Sequence, residues 1–281
     1  MVAKSWKSTM SQQRSKYDIN IRAVERTIGV LQAINKDGPL TMAEIAKSVE
    51  IPYPTATRFV QTLLHLGMIE KSKRHRRYKP TALAKTLSCG YHTTDDFVKI
   101  ARPHLIDLTK QTGWPAAIHT RVGSSMVMLD STHSKTSLSF SDYRPGFSMP
   151  IAMCASGLAY LGFCEKEQRN EILSQLAEYA SDDLSNSYIN YENDTYFKLI
   201  QEDGYTTFRR NRHSKNPGKS SSIGVPIHAD GQVVGSLTLV FFSSAMKMDE
   251  ALEKYLDVIQ ETKMKIDSEI SKKGIFTPGS F

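Results

Sequence analysis

Between Pro39 and Pro80 the pattern of apolar and polar positions changes period twice, and each change marks an element boundary. Thr41 and Glu44 have the spacing of a capping box, and Met42, Ile45, Ala46 and Val49 then recur at helical spacing. This predicts a short helix ending at Glu50. Pro52-Tyr53-Pro54 follows. A proline disfavours helix in the residue before it and suits the first turn of a new helix, where its missing N–H is not needed. The second helix turns Ala56, Phe59, Val60, Leu63 and Leu64 inward and leaves Thr55, Thr57, Arg58, Gln61 and Thr62 outward. After Gly67 the period suits strands at Met68–Lys71 and Arg77–Lys79, joined by Ser72-Lys73-Arg74-His75-Arg76. Upstream, residues 21–35 put Ile21, Val24, Ile28 and Leu31 on one helical face, expected to point into the core, and Asp37-Gly38-Pro39 stops that helix. Three helices and a basic hairpin predict a winged helix-turn-helix over residues 20–80, behind a polar, basic arm at 1–19.

Downstream the pattern is of another kind. Thr81 to about His92 predicts a linker helix, taken as residues 81–95. An amphipathic helix follows at 96–112, where Pro103 is expected to kink or break it, and Gly113 ends it. Alternation then predicts strands at Trp114–Val122 and Met126–Ser131, while the Ser/Thr-rich stretch 131–150 shows no clear period. Cys154–Phe163 is apolar on every side, as for a buried helix, and Glu165–Tyr179 and Tyr191–Glu202 are amphipathic. Ile223–Ile227 and Val233–Phe242 suit strands around an Asp230-Gly231 turn, and Met248–Ile270 a long closing helix. Helices on an antiparallel sheet make an α+β domain over residues 96–272, with a tail at 273–281.

Charge separates the two halves. Residues 1–80 hold 15 lysines and arginines against 6 acidic residues, and the remainder 21 against 23. A polyanion partner is therefore expected at the N-terminal half, and a recognition helix beside a basic loop points to double-stranded DNA. Cys89, Cys154 and Cys164 are too few and too irregular for a disulfide framework or zinc site. No apolar run is long enough for a membrane helix, and MVAKSWKSTMSQQRSK lacks a signal-peptide core, so a cytoplasmic protein with no membrane partner is expected. No G-x-S-x-G elbow, phosphate-cradling glycine pattern or H-E-x-x-H spacing is present, which gives no basis for an enzyme or a cofactor.

IRAVERTIGVLQAI, LTMAEIAKSVEIPYPTATRFVQTLLHLGMIE and the distant GYTTFRRNRHSKNPGKSSSIGVPIHADGQVVGSLTLVFF together resemble the IclR family of bacterial transcriptional regulators, over residues 20–270. WPAAIHTRV and MPIAMCASGLAYLGFCEKEQRNEIL further resemble a branch regulating aromatic-acid breakdown, including activators for hydroxyphenylpropionate catabolism. The resemblance implies a PAS/GAF-like effector domain joined to the winged domain, a homodimer or tetramer, an operator DNA, a small organic acid as signal, and RNA polymerase as a candidate further partner. It places the base-reading arginine at Arg58, beside Thr55 and Thr57. Family members often carry a serine or threonine just before Thr55; this chain has Pro54. Arg22, Arg26, Thr41, Tyr53, Gln61, Lys73, Arg74, Arg76 and Arg77 complete the expected DNA contacts.

For the effector, the resemblance implies an acid held at the helix start Cys154-Ala155-Ser156, which agrees with the affinity of unpaired helical N–H groups for anions. Ser222 stands where the family has a cysteine. Thr238 and Val240 replace the serine pair of glyoxylate-sensing and pyruvate-sensing members, so a less polar pocket is expected. Trp114, Met149, Met153, Phe241 and Phe242 are candidates for its wall, and Arg209 or Arg210 for a carboxylate clamp. Two alternatives stay open: a repressor of the same family sensing a short aliphatic acid, and a GAF-like enzyme or redox sensor using Cys154 and Cys164.

Overall fold

The computed structural model describes residues 21–72, 76–88, 93–139, 145–179, 194–209 and 219–274. The arm at 1–19, Lys73, Arg74, Arg210, the end of the linker and the tail beyond 274 lie outside the described residues. The chain divides into two compact units, Met1–His92 and Thr93–Phe281.

In the first unit, helices α1 (Arg22–Asp37), α2 (Met42–Ser48) and α3 (Tyr53–His65) precede strands β1 (Ile69–Lys71) and β2 (Tyr78–Pro80). The strands pair antiparallel over three residue pairs, and Leu40 adds an isolated antiparallel bridge to Tyr78. Ile45, Ala46, Val49, Ala56, Val60 and Leu63 are buried as the pattern predicts. The first helix corrects it: Ile21, Val24 and Ile28 are 64, 53 and 45% exposed, and the buried face is Gly29, Val30, Ala33 and Ile34. α1 carries two apolar stripes, and the one with smaller side chains packs against the core because it permits closer approach.

A four-residue helix α4 (Ala82–Lys85) and a 3-10 turn at Thr86–Ser88 occupy the described start of the expected linker helix. The α-helix stops early because Thr86 and Ser88 donate their hydroxyls to the carbonyls of Leu83 and Lys85, each three residues back.

The second unit is built on one six-stranded sheet. α5 (Thr93–Thr112) leads into β3 (Ala116–Val122), β4 (Ser125–Ser131) and β5 (Ser148–Pro150). Then come α6 (Ala155–Phe163), α7 (Lys166–Tyr179), α8 (Asp194–Asp203), β6 (Thr206–Arg209), β7 (Ser220–Ala229), β8 (Gln232–Phe242) and α9 (Met248–Lys273). The spatial order is β5-β4-β3-β8-β7-β6, with every neighbouring pair antiparallel. Strand alternation sorts side chains to two cores. Ile223, Val225, Ile227, Leu237, Leu239 and Phe241 meet α5 and α9. Ala117, Met126 and Met128 meet α6, α7 and α8.

Pro103 does not break α5, which continues to Thr112. Phe97, Ile100, Ala101, Leu105 and Leu108 are buried along one face on both sides of the proline, and burying five apolar side chains outweighs the roughly 3 kcal/mol of an interior proline. α6 is buried at every position from Ala155 to Gly162. It lies so close to its neighbours that a Cβ on Gly157 would sit 1.7 Å from the Ile151 carbonyl oxygen, and one on Gly224 2.8 Å from that of Ala155. Thr206 donates its hydroxyl to the Ala155 carbonyl at 2.8 Å and fixes the start of α6 to β6.

Candidate DNA interface and effector pocket

In the first unit the capping box is present in full. Thr41 N–H donates to Glu44 Oε2 at 2.8 Å, and Glu44 N–H donates to Thr41 Oγ1 at 3.3 Å. The same carboxylate binds the wing: Arg77 reaches Glu44 with both terminal nitrogens, at 3.1 and 3.4 Å, and donates to the Pro39 carbonyl at 2.7 Å. The N–H of Thr41, then its hydroxyl, then Arg77 hold the Glu44 carboxyl below its ordinary range. Thr41 and Arg77, both expected at DNA, are thus engaged in holding α2 to the wing. Sequence spacing could show the cap but not that the last arginine of the basic run turns back to it.

α3 begins at Pro52 with no side-chain cap and with Tyr53 exposed. Arg58, Gln61 and Thr62 are exposed, and Thr55 and Thr57 half-buried. Thr57 Oγ1 donates to the Tyr53 carbonyl at 2.9 Å and Thr62 Oγ1 to that of Arg58 at 3.0 Å. These bonds leave Arg58 and Gln61 as the long polar side chains of the outward face. Arg22 and Arg26 are exposed on α1, and Arg76 is exposed with a left-handed φ of 48° at the base of the wing.

In the second unit a pocket with about 370 Å³ of empty space, its opening to solvent included, lies where α6 begins over the sheet. Met149, Cys154, Ala155, Ser156, Ser222, Thr238 and Val240 line it, as expected, together with His119, Met128, Phe208 and Ser220, which the sequence reading missed. Strand parity is the signal that could have found three of these four: Ser220 shares a face with Ser222, Phe208 lies across from Ser222, and His119 shares a face with Ala117.

Several expected members are elsewhere. Trp114 and Phe241 belong to the opposite core, where Trp114 makes edge contacts to Phe241 and Phe242 at 6.2 and 5.6 Å. For Phe241 the reason is alternation, which sends Leu237, Leu239 and Phe241 of β8 to the α9 side. Met153 is half-buried in the turn before α6 and does not line the pocket. Arg209 is exposed and follows Phe208, so its parity turns it from the pocket face. Among the described residues no lysine or arginine is in the lining.

The chemistry at the start of α6 is that of an uncapped helix in an apolar surround. Cys154 supplies no side-chain cap. Ser156, 1% exposed, donates its hydroxyl to Cys154 Sγ at 3.2 Å. Ser222 and Thr238 make only long bonds, to the carbonyls of Phe208 at 3.4 Å and Ala117 at 3.5 Å. Ser220 Oγ, fully buried, has no hydrogen-bond partner among the described residues. Cys164 is buried nearby in the same core, and burial pushes its thiol up to about 11. Among the described residues no group of three or more metal-ligating side chains is present, and no helix is long and apolar enough to cross a membrane.

Two family models match the chain: the IclR helix-turn-helix domain over residues 23–73 and the bacterial transcriptional regulator IclR C-terminal domain over residues 89–268. The chain belongs to the IclR family. Among relatives of this IclR-family chain, the HTH-type transcriptional regulator TsaQ1/TsaQ2 of Comamonas testosteroni is 22% identical over 163 residues, 58% of this chain and 59% of that protein. The chain spans 51–61% of the length of the curated relatives it matches. Among solved structures, IclR of Thermotoga maritima aligns with a TM-score of 0.59 at 20% identity, covering 90% of this chain and 100% of that one. An IclR homologue from Microbacterium hydrocarbonoxydans, complexed with 4-hydroxybenzoate, aligns with a TM-score of 0.65 at 17% identity, covering 89 and 99%. These likenesses establish the α+β fold, a helix-turn-helix unit followed by an IclR effector unit.

Proposed function

We propose that this IclR-family chain is a cytoplasmic, ligand-responsive regulator of a catabolic operon, with an aromatic or aryl-alkanoic acid as its effector and a PAS/GAF-like unit as the sensor. The observation that carries the effector reading is the pocket lining: an uncapped, buried helix start for the acid, four hydroxyls, and Met128, Met149, Phe208 and Val240 for an apolar body. A helix start can hold a carboxylate without a lysine or arginine, because its N–H groups and dipole act in a medium of low dielectric. The complex of the Microbacterium homologue with 4-hydroxybenzoate supports the same ligand class.

DNA binding rests on the outward face of α3. Arg58 and Gln61 reach base edges, Tyr53 and Thr55 lie at the helix start toward a phosphate, and Lys73, Arg74 and Arg76 lie against the backbone beside it. A pseudo-palindromic operator requires two copies, and the exposed stripe Ile21, Val24 and Ile28 on α1 suits a contact between them, since among the described residues of its unit this apolar area stays uncovered. The effector acts by population shift, binding one conformation better and so changing how two winged units are spaced. RNA polymerase is a further partner only if the regulator activates.

Calorimetry tests the effector. The protein is titrated with benzoate, phenylpropionate, glyoxylate and pyruvate: binding of an aromatic acid is expected, and tight binding of the short acids with silence from the aromatic ones overturns the assignment while leaving the regulator intact. Operator binding by residues 96–270 alone at physiological salt would overturn the division of labour between the units.

A further inference from the structure

The pocket has a second polar end, and Ser220 forms it. Its side chain is 1% exposed, it lines the pocket, and its hydroxyl has no hydrogen-bond partner among the described residues. A buried hydroxyl without a partner costs the desolvation of its polar group, so a ligand group that reaches it recovers what folding gave up.

The register fixes where this hydroxyl lies. Gly224 marks the start of α6, since a Cβ there would touch the Ala155 carbonyl at 2.8 Å. Ser222 and Ser220 follow at two and four residues along the same face of β7, about 7 and 13 Å away at the usual rise of a strand. In between, Ser222 is flanked across the sheet by Phe208 on β6 and Val240 on β8. One line along the sheet therefore runs from the first residue of α6, through a stretch with two apolar walls, to a hydroxyl with no partner among the described residues. Allowing roughly 3 Å at each end for a hydrogen bond, the ligand spans about 7–8 Å.

We infer that Ser220 is a specificity-determining residue and that the effector is a two-ended acid, with a hydroxyl or similar hydrogen-bonding group about 7–8 Å from its carboxylate. This rests on the acid-sensing reading above and narrows it. An acid of two or three carbons is too short to touch both ends. A plain aryl-alkanoate reaches the distal end but leaves the hydroxyl unpaired, and a site built for a ligand's polar group discriminates against the analogue that lacks it.

The experiment titrates the full-length protein with two matched pairs, phenylacetate against 4-hydroxyphenylacetate and hexanoate against 6-hydroxyhexanoate. Wild type should prefer the hydroxylated member of at least one pair by roughly three- to tenfold or more, the worth of one hydrogen bond. In Ser220→Ala that preference should vanish through weaker binding of the hydroxylated acid alone, with the plain acid unchanged or tighter. Ser222→Ala, nearer the helix start, serves as the control and should move both members together. Melting temperatures of the ligand-free variants separate binding from folding: Ser220→Ala should melt at or above wild type. Equal affinity within both pairs, or a preference that survives Ser220→Ala, overturns the inference and spares the acid-sensing reading. Failure of all four acids where glyoxylate or pyruvate binds removes the aromatic reading and this inference with it.

Discussion

α3 and α6 both begin without a side-chain cap, at Pro52 and at Cys154, and they stand in opposite surroundings. The start of α3 is exposed, with Tyr53 56% accessible, in the half of the chain that holds the excess of positive charge. The start of α6 is buried, with Ala155 and Ser156 each 1% accessible, and among the described residues no cation lines its pocket. Water screens the first, so one helix end adds little there unless many charges act together, as they do against a duplex. At the second, a low dielectric would strengthen what one helix end and a few hydroxyls offer a single carboxylate. On the function proposed above, the same backbone device serves a polyanion in one unit and a small anion in the other, and burial decides which.

The largest expected effect breaks the buried start. Gly157→Ala puts a methyl group into the Ile151 carbonyl, and neither backbone can yield cheaply. It should destabilise the second unit by about 3 kcal/mol or more, seen as a lower denaturation midpoint, while the first unit keeps its own transition. An unchanged midpoint would mean that the close contact there is not real.

Next in size is the exposed start. Arg58→Ala should reduce the ratio of operator to random-DNA affinity by roughly tenfold to a hundredfold, the range for a lost base contact of about 1–3 kcal/mol. Arg76→Ala should instead weaken both DNAs together and flatten the salt dependence. An unaltered ratio in Arg58→Ala, measured by competition titration, would show that another face reads the bases.

The capping box sharpens the comparison further, since it shows what a capped start looks like. Thr41→Ala should cost about 1 kcal/mol of stability. Glu44 is held below the ordinary glutamate range by Thr41 and Arg77, so its contribution is complete above that range, about 4.3, and disappears as pH falls through the lowered value. Thermal melts should therefore show Glu44→Gln less stable than wild type at neutral pH, with the two converging in acid. A gap that widened in acid would contradict the arrangement.

The smallest effect concerns the redox alternative. With its thiol pushed up to about 11 by burial, Cys164 should react with iodoacetamide at pH 7.5 only when the protein is unfolded. Rapid labelling of Cys164 in the folded protein, located by mass spectrometry, would reopen that reading.

How much of this was legible depended on periodicity. The winged unit could be read closely because each element has one apolar face and a signal at its boundary: the Thr41–Glu44 box, Pro52-Tyr53-Pro54, Gly67. α1 was misjudged because it has apolar residues on two faces, and no single-helix pattern says which one finds a partner. Long strands and the wholly apolar α6 were also readable. The pocket was read unevenly. Its helix start comes through a family likeness, but strand alternation, which turns Phe241 and Arg209 away and points to Ser220, Phe208 and His119, is needed for the rest, and only register across the sheet adds Met128. Local propensity predicts a kink or a break at Pro103, and the helix runs on to Thr112 because the packing of Phe97 through Leu108 is not local.

The sheet tapers. Its edge strand β5, Ser148–Pro150, runs for three residues, while the inner pair β7 and β8 run for ten and eleven. An edge that short, closed on one side by a proline with no N–H to offer, gives an incoming strand few rungs to grip. On the β5 side the second unit can therefore be crowded against copies of itself with little risk that its sheet is extended by a foreign strand.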